Sequence, residues 1–458
     1  MNGSRRVAWG AITAALCLIL GNSLSAQAPA ASQDAGVSKA PQYTMAEYNS
    51  YQACAAEKAP AAQVKCLDDF VLKYPNSTLL NYVYLLYSQS YGQLKNYPKV
   101  IENADKLAAL GDKIDTGVRF NAYYTHCAAY SALITDPATA PTAVKDVALA
   151  KSAQNAAATA LKTLDDVKKP ENVAEDAWAK QTMQFRAFLN GVSAQAATVT
   201  KDCSGAVNAY KAVLALNPDD AVSSYRLGLA YMCLNPPQQM DAFWSIARAV
   251  TAKGATQAQS AKVKDYLRKL IANYQGGGVC DSLTDAELNE LLQLASSSAE
   301  RPGSYKLASS AELTAAQKDM TIASVITDLK AGGDKAKLTW FASCGLEFPE
   351  VPGKVIEVVP GTDAVVLKIA FVTSDAEFDA ATKPNMEVKV VGQPAAGRVE
   401  KDSAIHFTGA LTSYDPEPSF FLHWDKAKVK EEDLPKEKAA PKKPVRRPAT
   451  KKPVAKPN

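Results

Sequence analysis

The stretch "LALNPDDAVSSYRLGLAYM", from Leu214 to Met232, decides the fold predicted for most of this 458-residue chain. Its first apolar residues end one helical pattern. Asn217-Pro218 stops that helix, because proline has no amide hydrogen and disfavours helical geometry in the residue before it. Asp219 or Asp220 then stands where a side chain caps the next helix by accepting hydrogen bonds from its free amide groups. The stretch therefore predicts two helices joined by a short turn.

The residues on both sides of this turn resemble the tetratricopeptide repeat (TPR). Before the turn, the small, aromatic, small and proline positions of that family are matched by Ala206, Tyr210, Val213 and Pro218. After the turn, the Leu-Gly-x-x-Tyr of the following repeat is matched by Leu227, Gly228 and Tyr231. The resemblance implies that Gly228 lets two helices approach closely. Two residues depart from the pattern, since Ser224 stands where the family often has Trp, and Val213 where it prefers Ala.

Weaker copies of the same pattern precede the central one. Tyrosines recur at helical spacing, followed by small and apolar positions; the residues are Tyr84, Tyr87, Tyr91, Val100, Ala104 and Leu107, and then Tyr123, Cys127 and Tyr130. We expect about five helix pairs between Met45 and Val250, with residues 256–274 as a closing helix. An irregular helical bundle that matches the repeat once by chance is the alternative.

The cysteines suggest disulfides across helix hairpins. Residues equidistant from the turn of an antiparallel helix pair face each other, and Cys54 and Cys66 are centred on Pro60. Cys203 and Cys233 are likewise centred on Pro218. We therefore predict these two pairs. The pairing of Cys127, Cys280 and Cys344 stays open, with Cys280–Cys344 as one option. The metal-ligand spacings of a zinc site are absent, so we predict no metal.

The first 26 residues have the layout of a secretory signal. Arg5 and Arg6 precede an apolar run that is shorter than the roughly 20 residues of a membrane-spanning helix. We expect cleavage near Ala26 and a mature chain that has no transmembrane segment and is secreted or periplasmic. An exported chain is one in which cysteines form disulfides.

The charge of +4 is unevenly distributed along the chain. Nine of the 51 Lys and Arg residues, but only one of the 47 acidic residues, follow residue 435, so the body between leader and tail is acidic. This distribution is not that of a nucleic-acid-binding globule. The Lys- and Pro-rich segment 431–458 has few apolar residues, and we predict that it is disordered.

The pattern changes from helical to alternating in the second half. Residues 284–295 and 311–330 read as two further helices, and five alternating segments then lie between Gly353 and Val429. Five short strands suit a small closed barrel. The segment "IHFTGALTSYD", with Gly409, resembles a strand of the oligonucleotide/oligosaccharide-binding (OB) barrel; a small β-sandwich is the alternative.

Aromatic and histidine side chains between residues 406 and 424 of the predicted barrel could form a binding face or fill its core. By alternation we expect about half of them to be core; the set is His406, Phe407, Tyr414, Phe420, His423 and Trp424. No HExxH, GxSxG, phosphate-loop or dinucleotide motif occurs, and the three histidines have no evident nucleophile partner. We therefore predict no catalytic residue, no cofactor and no enzyme.

The predicted fold is an all-α TPR-like solenoid followed by a small all-β, OB-like barrel and a disordered basic tail. The predicted segments are 1–26 signal, 27–43 linker, 44–275 helical repeats, 276–345 helical connector, 346–430 barrel and 431–458 tail. The resemblance implies a scaffold that binds a protein or peptide partner in the cell envelope on the first helices of its pairs. That surface would include Tyr82, Gln89, Asn121, Tyr124, Val222, Tyr225, Leu229 and Met232.

A second hypothesis of another class assigns binding to the barrel and tail. The lysine and arginine pairs of the tail would attract an anionic envelope polymer or nucleic acid, and this attraction would weaken as salt rises. A hydrolase is the third hypothesis.

Overall fold

The computed structural model describes residues 43–436, so the predicted signal, most of the linker and the tail after residue 436 lie outside the described residues. The described chain divides into two compact units. The first contains residues 43–265 and 291–302, and the second contains residues 266–290 and 303–436. This division cuts through two helices, whereas the sequence placed a boundary at the glycine-rich break after Tyr274.

The first unit contains five consecutive helix pairs, the number that the pattern predicts. In chain order they are α1 Met45–Ala56 with α2 Pro60–Lys73, α3 Leu80–Gln93 with α4 Tyr97–Ala108, α5 Thr116–Thr135 with α7 Val147–Asp165, α8 Glu175–Thr200 with α9 Cys203–Leu216, and α10 Ala221–Cys233 with α11 Gln239–Thr251. The short helix α6 Ala140–Ala143 lies within the third pair. Helix α12 follows as Gln257–Tyr274.

The turn between α9 and α10 forms as its residue types require. Asn217 ends α9, and the side chain of Asp220 accepts hydrogen bonds from the backbone N–H groups of Val222 and Ser223. Asp220 rather than Asp219 is therefore the cap. Gly228 lies inside α10, where an added Cβ would be 2.9 Å from the carbonyl oxygen of Ala242 on α11. Glycine thus permits the close approach of α10 and α11.

Apolar side chains of the first unit form several local clusters rather than one central core. One cluster joins α1, α2 and α3, a second joins α5, α7 and α8, and a third joins α8 to α11. Each helix packs mainly on the helices that precede and follow it in the chain.

Three disulfides form, two of them the pairs that turn symmetry predicts and one that the sequence left open. Cys54 is bonded to Cys66 across the α1–α2 turn, with Cα atoms 5.3 Å apart. Cys203 is bonded to Cys233, joining the start of α9 to the end of α10, with Cα atoms 5.6 Å apart. Cys280 is bonded to Cys344 in the second unit at 5.8 Å. Cys127 is free and buried.

The helices beyond α12 differ in part from the prediction. Helix α13 is Asp281–Ser297, in agreement with the apolar pattern. The single helix expected over 311–330 is two, α14 Ser310–Gln317 and α15 Ile322–Ala331, because the side chain of Thr321 caps a new start by accepting from the N–H of Ser324. Helix α16, Gly333–Ser343, was not predicted.

A closed five-stranded barrel follows. Its strands are β1 Glu347–Val359, β2 Ala364–Phe371, β3 Met386–Val391, β4 Ala404–Asp415 and β5 Phe421–Val429, with the short helix α17 Asp375–Ala380 between β2 and β3. The strand order is β1-β2-β3-β5-β4, and β4 returns to β1. Only the β3–β5 pairing among these is parallel. A closed barrel leaves no sandwich edge, so the sandwich alternative is wrong.

Alternation places one set of side chains inside this barrel. Phe407 and Trp424 meet edge to face at 5.3 Å, and Phe348 meets Trp424 in the same way at 5.7 Å. Apolar residues of α15 join this core. A Cβ on Gly409 would lie 3.1 Å from that of Ala427, so glycine lets β4 bend closely onto β5.

The first residues of the predicted tail belong to the barrel. Residues Glu431–Asp433 form a 3₁₀ turn, and the carboxylate of Asp433 accepts hydrogen bonds from the His406 backbone N–H at 2.7 Å. Leu434 packs against the barrel core. Ordered structure therefore continues past residue 430, because these side chains find partners on β4.

Candidate partner-binding surface

The predicted binding residues on α10 form one exposed stripe of the helix. Val222, Tyr225, Leu229 and Met232 recur at helical spacing, and the side chains of Val222 and Leu229 are 55% and 37% exposed. Tyr225 and Met232 are half-buried. Apolar side chains of this size are normally covered, so a row of them on one helix is a candidate contact surface.

The stripe has counterparts on the first helices of two earlier pairs. Tyr82 on α3 is 43% exposed, and its ring lies 5.9 Å from that of Tyr51 on α1. Gln89 on α3 and Asn121 on α5 are half-buried. The face on which the sequence placed the site therefore carries accessible side chains on α3, α5 and α10.

Tyr124 is an exception, because it is buried and 8% exposed. Its ring contacts Phe185 at 5.2 Å and Phe188 at 5.0 Å, both on α8. Burial raises the pKa of its hydroxyl to about 12. In this conformation Tyr124 packs α5 against the next first helix and has no surface to offer a partner, so its place in the predicted surface is wrong.

A cleft that the sequence did not predict lies beside α10, on the side away from the exposed stripe. Its volume is about 620 Å³. Its floor is Ser224, Leu227 and Tyr231 of α10, and its walls come from α9 and α11, with residues 299–301 at its edge. The one signal in the sequence was Ser224, which replaces the Trp frequent in the repeat.

Residues 298–301 run along one face of α11 and are held by its side chains. The Trp244 indole donates to the carbonyl of Ala299 at 3.4 Å, and Arg248 donates to that of Ser298 at 2.6 Å. Arg301 pairs with Asp241 at 3.0 Å. This segment, residues 298–301, is hereafter the strap.

The cleft is rich in cations. The ammonium group of Lys211 lies 5.5 Å from the centre of the Tyr231 ring, and no ion pair of Lys211 occurs among residues 43–436. Arg248 donates to two backbone carbonyls, those of Ser298 and Pro218, and within the same residues it meets no carboxylate. Neither Lys211 nor Arg248 is thus paired with a carboxylate of the described chain, although Asp241 and Glu300 also line the cleft.

Cys127, His126 and Cys280 are each held by burial or by a bond within the chain. Burial raises the pKa of the Cys127 thiol, which keeps it protonated and unreactive. His126 beside it is buried, with Nδ1 2.7 Å from the carboxylate of Asp105. Cys280 is held in its disulfide. Among residues 43–436 no group of three or more His, Cys, Asp and Glu has an arrangement that suits a metal ion.

The barrel aromatics divide between core and rim. Phe407 and Trp424 are buried, whereas Tyr414 packs on Trp340 and Phe420 lies under the ammonium of Lys330. Two of the six residues are therefore buried and the other four are half-buried, so fewer fill the core than the half that alternation predicts.

Charges on the outward positions of the barrel strands are largely paired with one another. Lys368 meets Glu357 at 2.8 Å, and Lys389 lies 3.9 Å from Asp425. His423 is 2.9 Å from Asp415. A polyanion would have to compete with these carboxylates.

Comparison with known proteins adds little. No family model matches the chain, and neither does any curated protein. Three solved chains match, among them a structure titled the TPR2AB-domain:pHSP90-complex of yeast Sti1, with 13% identity over 55% of this chain and 95% of that chain. The TM-score of 0.18 is too low to establish a shared fold. Within residues 43–436 no helix has both the length and the apolar character to cross a bilayer.

Proposed function

We propose that this chain is a non-catalytic scaffold whose TPR-like helix pairs form a solenoid that binds a protein partner. The observation that carries the proposal is the apolar stripe on α10. The helices of the first unit pack closely on their neighbours, yet the side chains of Val222 and Leu229 stay exposed to solvent. The resemblance over residues 206–231 supports the repeat, and the local apolar clusters suit stacked pairs.

We propose further that the scaffold works outside the cytoplasm. Its support is the leader-like pattern of the first 26 residues together with three disulfides, which persist in oxidising compartments. The barrel we infer to be OB-like. Its strand order β1-β2-β3-β5-β4, closed by β1 and β4 and parallel at β3–β5, supports that inference.

The test replaces exposed apolar residues by aspartate in two matched places. Val222→Asp with Leu229→Asp puts charge on the α10 stripe. Val144→Asp with Val147→Asp is the control, since Val147 is also 55% exposed, Val144 is 42% exposed, and neither residue belongs to the first helix of a pair. The partner is identified first, as the protein that is recovered from an envelope fraction together with the affinity-purified wild-type chain.

The stripe variant should lose at least about 90% of partner recovery, because burying an unpaired carboxylate in an apolar contact is costly. The control variant should retain it. Equal recovery by both variants, with both folded by circular dichroism, would assign binding elsewhere.

A further inference from the structure

A partner that binds the exposed stripe of α10 would not occupy the cleft beside this helix. Ser224 and Tyr231 line the cleft, whereas the stripe comprises Val222, Tyr225, Leu229 and Met232. On one helix these sets occupy different faces, since residues that share a face lie three or four apart. The cleft is therefore a second site, and its ligand is a separate question.

The cleft exists because a small side chain stands at its floor. Ser224 is 1% exposed in the body of the helix yet borders the cleft, at a position where the repeat often carries the large ring of Trp. The lining is mostly apolar, with Leu214, Leu227 and Pro218 beside the rings of Tyr231 and Trp244. Its volume lies within the range of roughly 300–1,000 Å³ that small-molecule sites occupy.

The polar lining has an excess of positive charge. Three cations line the cleft, Lys211, Arg248 and Arg301. Asp241 is paired with Arg301, which leaves exposed Glu300 as the remaining carboxylate of the lining.

Arg248 is already held in position for a ligand. Its two bonds to the carbonyls of Ser298 and Pro218 use two of the five N–H donors of a guanidinium. The strap and the α9–α10 turn thereby fix its orientation before any ligand arrives, and a fixed donor loses less entropy on binding.

We propose that this cleft binds a small organic anion with an aromatic body, its carboxylate or equivalent acid meeting Lys211 and Arg248 and its ring lying among Leu227, Tyr231 and Trp244. Apolar walls supply most of the contact area, and the two cations select the acid over a neutral molecule of the same shape.

The experiment is titration calorimetry of the full chain with 1-naphthoate as the probe, and with its neutral analogue 1-naphthalenemethanol, at low salt. Lys211→Gln removes one cation from the cleft. Lys162→Gln on α7 is the control, because Lys162 is an exposed helical lysine outside the cleft. Glu300→Gln tests the sign of the electrostatics.

Two further variants fill the cleft. Ser224→Trp introduces a large side chain at the buried floor of the cleft. Ala215→Trp introduces one at an exposed lining position, so it fills the cleft without disturbing the core and serves if Ser224→Trp fails to fold. Thermal unfolding verifies the fold of each.

Wild-type protein should bind one naphthoate per chain and bind the alcohol at least about tenfold more weakly. Lys211→Gln should weaken naphthoate binding about fivefold or more, Glu300→Gln should strengthen it, and Lys162→Gln should leave it unchanged. Ala215→Trp should abolish it. Absent binding at millimolar naphthoate, equal affinity for acid and alcohol, or unchanged binding in Lys211→Gln or Ala215→Trp would overturn the proposal; none of these results bears on partner recovery through the stripe.

Discussion

Gly228 on α10 lies against Ile246 on α11 so closely that an added Cβ would overlap Ile246 Cγ1 and lie 2.9 Å from the Ala242 carbonyl oxygen. The short distance between α10 and α11 at this point is therefore possible only because residue 228 has no Cβ. The strap and the cleft both depend on α11 holding this position beside α10.

Gly228→Ala should destabilise the first unit by about 1–3 kcal/mol, the usual cost of an added methylene in a filled core. Ala normally stabilises a helix by up to about 1 kcal/mol relative to Gly, so a net loss identifies the steric contact. Gly191→Ala in α8, where nothing lies within 4 Å of the new Cβ, is the matched control and should be neutral or stabilising. Urea unfolding measures the change in unfolding free energy for both variants. Equal changes would show that the contact of residue 228 with Ile246 and Ala242 does not limit the side chain at this position.

Tyr124→Ala should act on stability rather than on partner affinity. Removing a ring that packs on Phe185 and Phe188 leaves a cavity between α5 and α8, at a cost of about 3 kcal/mol. Asn121→Ala, one turn away and half-buried, should cost less than about 1 kcal/mol. Chemical denaturation and partner titration, done on both variants, separate the two roles; a stable Tyr124→Ala protein with weakened partner binding would return this residue to the surface.

Peptide mapping without reduction should recover three cross-linked peptides, containing Cys54–Cys66, Cys203–Cys233 and Cys280–Cys344. Cys127 should resist alkylation in the native protein and react after unfolding, because its thiol is buried and its pKa is raised. Scrambled pairs, or rapid native labelling of Cys127, would contradict the helix packing of the first unit.

Glu287 on α13 should make the second unit less stable as pH rises. Burial raises the pKa of its carboxyl to about 7, against the lowering effects of the Gln275 hydrogen bond and nearby Lys337. The folded state therefore holds a proton that the unfolded chain releases near pH 4.5, so stability present at low pH is lost between about pH 4.5 and 7, by up to about 3 kcal/mol.

Unfolding free energies at pH 5 and pH 8 measure this effect. Glu287→Gln should flatten the profile and raise stability at pH 8, whereas Glu400→Gln, at an exposed glutamate of the second unit outside the surroundings of Glu287, should keep the wild-type slope. An unaltered slope in Glu287→Gln would show that another group carries the dependence.

Local chemistry explains which parts of the fold were predictable. Pro218 and the capping aspartate act within one turn and its two helices, and Gly228 acts between α10 and the next helix in the chain, so local pattern is enough to predict their roles. The five strands follow from alternation, which reports burial directly. The disulfides across the α1–α2 and α9–α10 turns follow from symmetry about Pro60 and Pro218.

The features that sequence reasoning missed depend on distant partners or on a weak local signal. Tyr124 is buried by Phe185 and Phe188, about 60 residues away, and no local pattern shows this. The cation cleft needs the strap, about 50 residues after Arg248, to orient that guanidinium. The break between α14 and α15 rests on Thr321 and Ser324, a cap that lies inside an otherwise continuous apolar pattern.

The most direct test of the scaffold account is site-specific photo-crosslinking in cells that produce the protein. A benzophenone amino acid is placed at Val222 on the stripe or, in the control, at Val147, whose side chain is equally exposed. A scaffold that binds through the stripe should give a discrete cross-linked protein species from position 222 and none, or far less of it, from position 147. The same species in equal yield from both positions, or none from position 222, would contradict it.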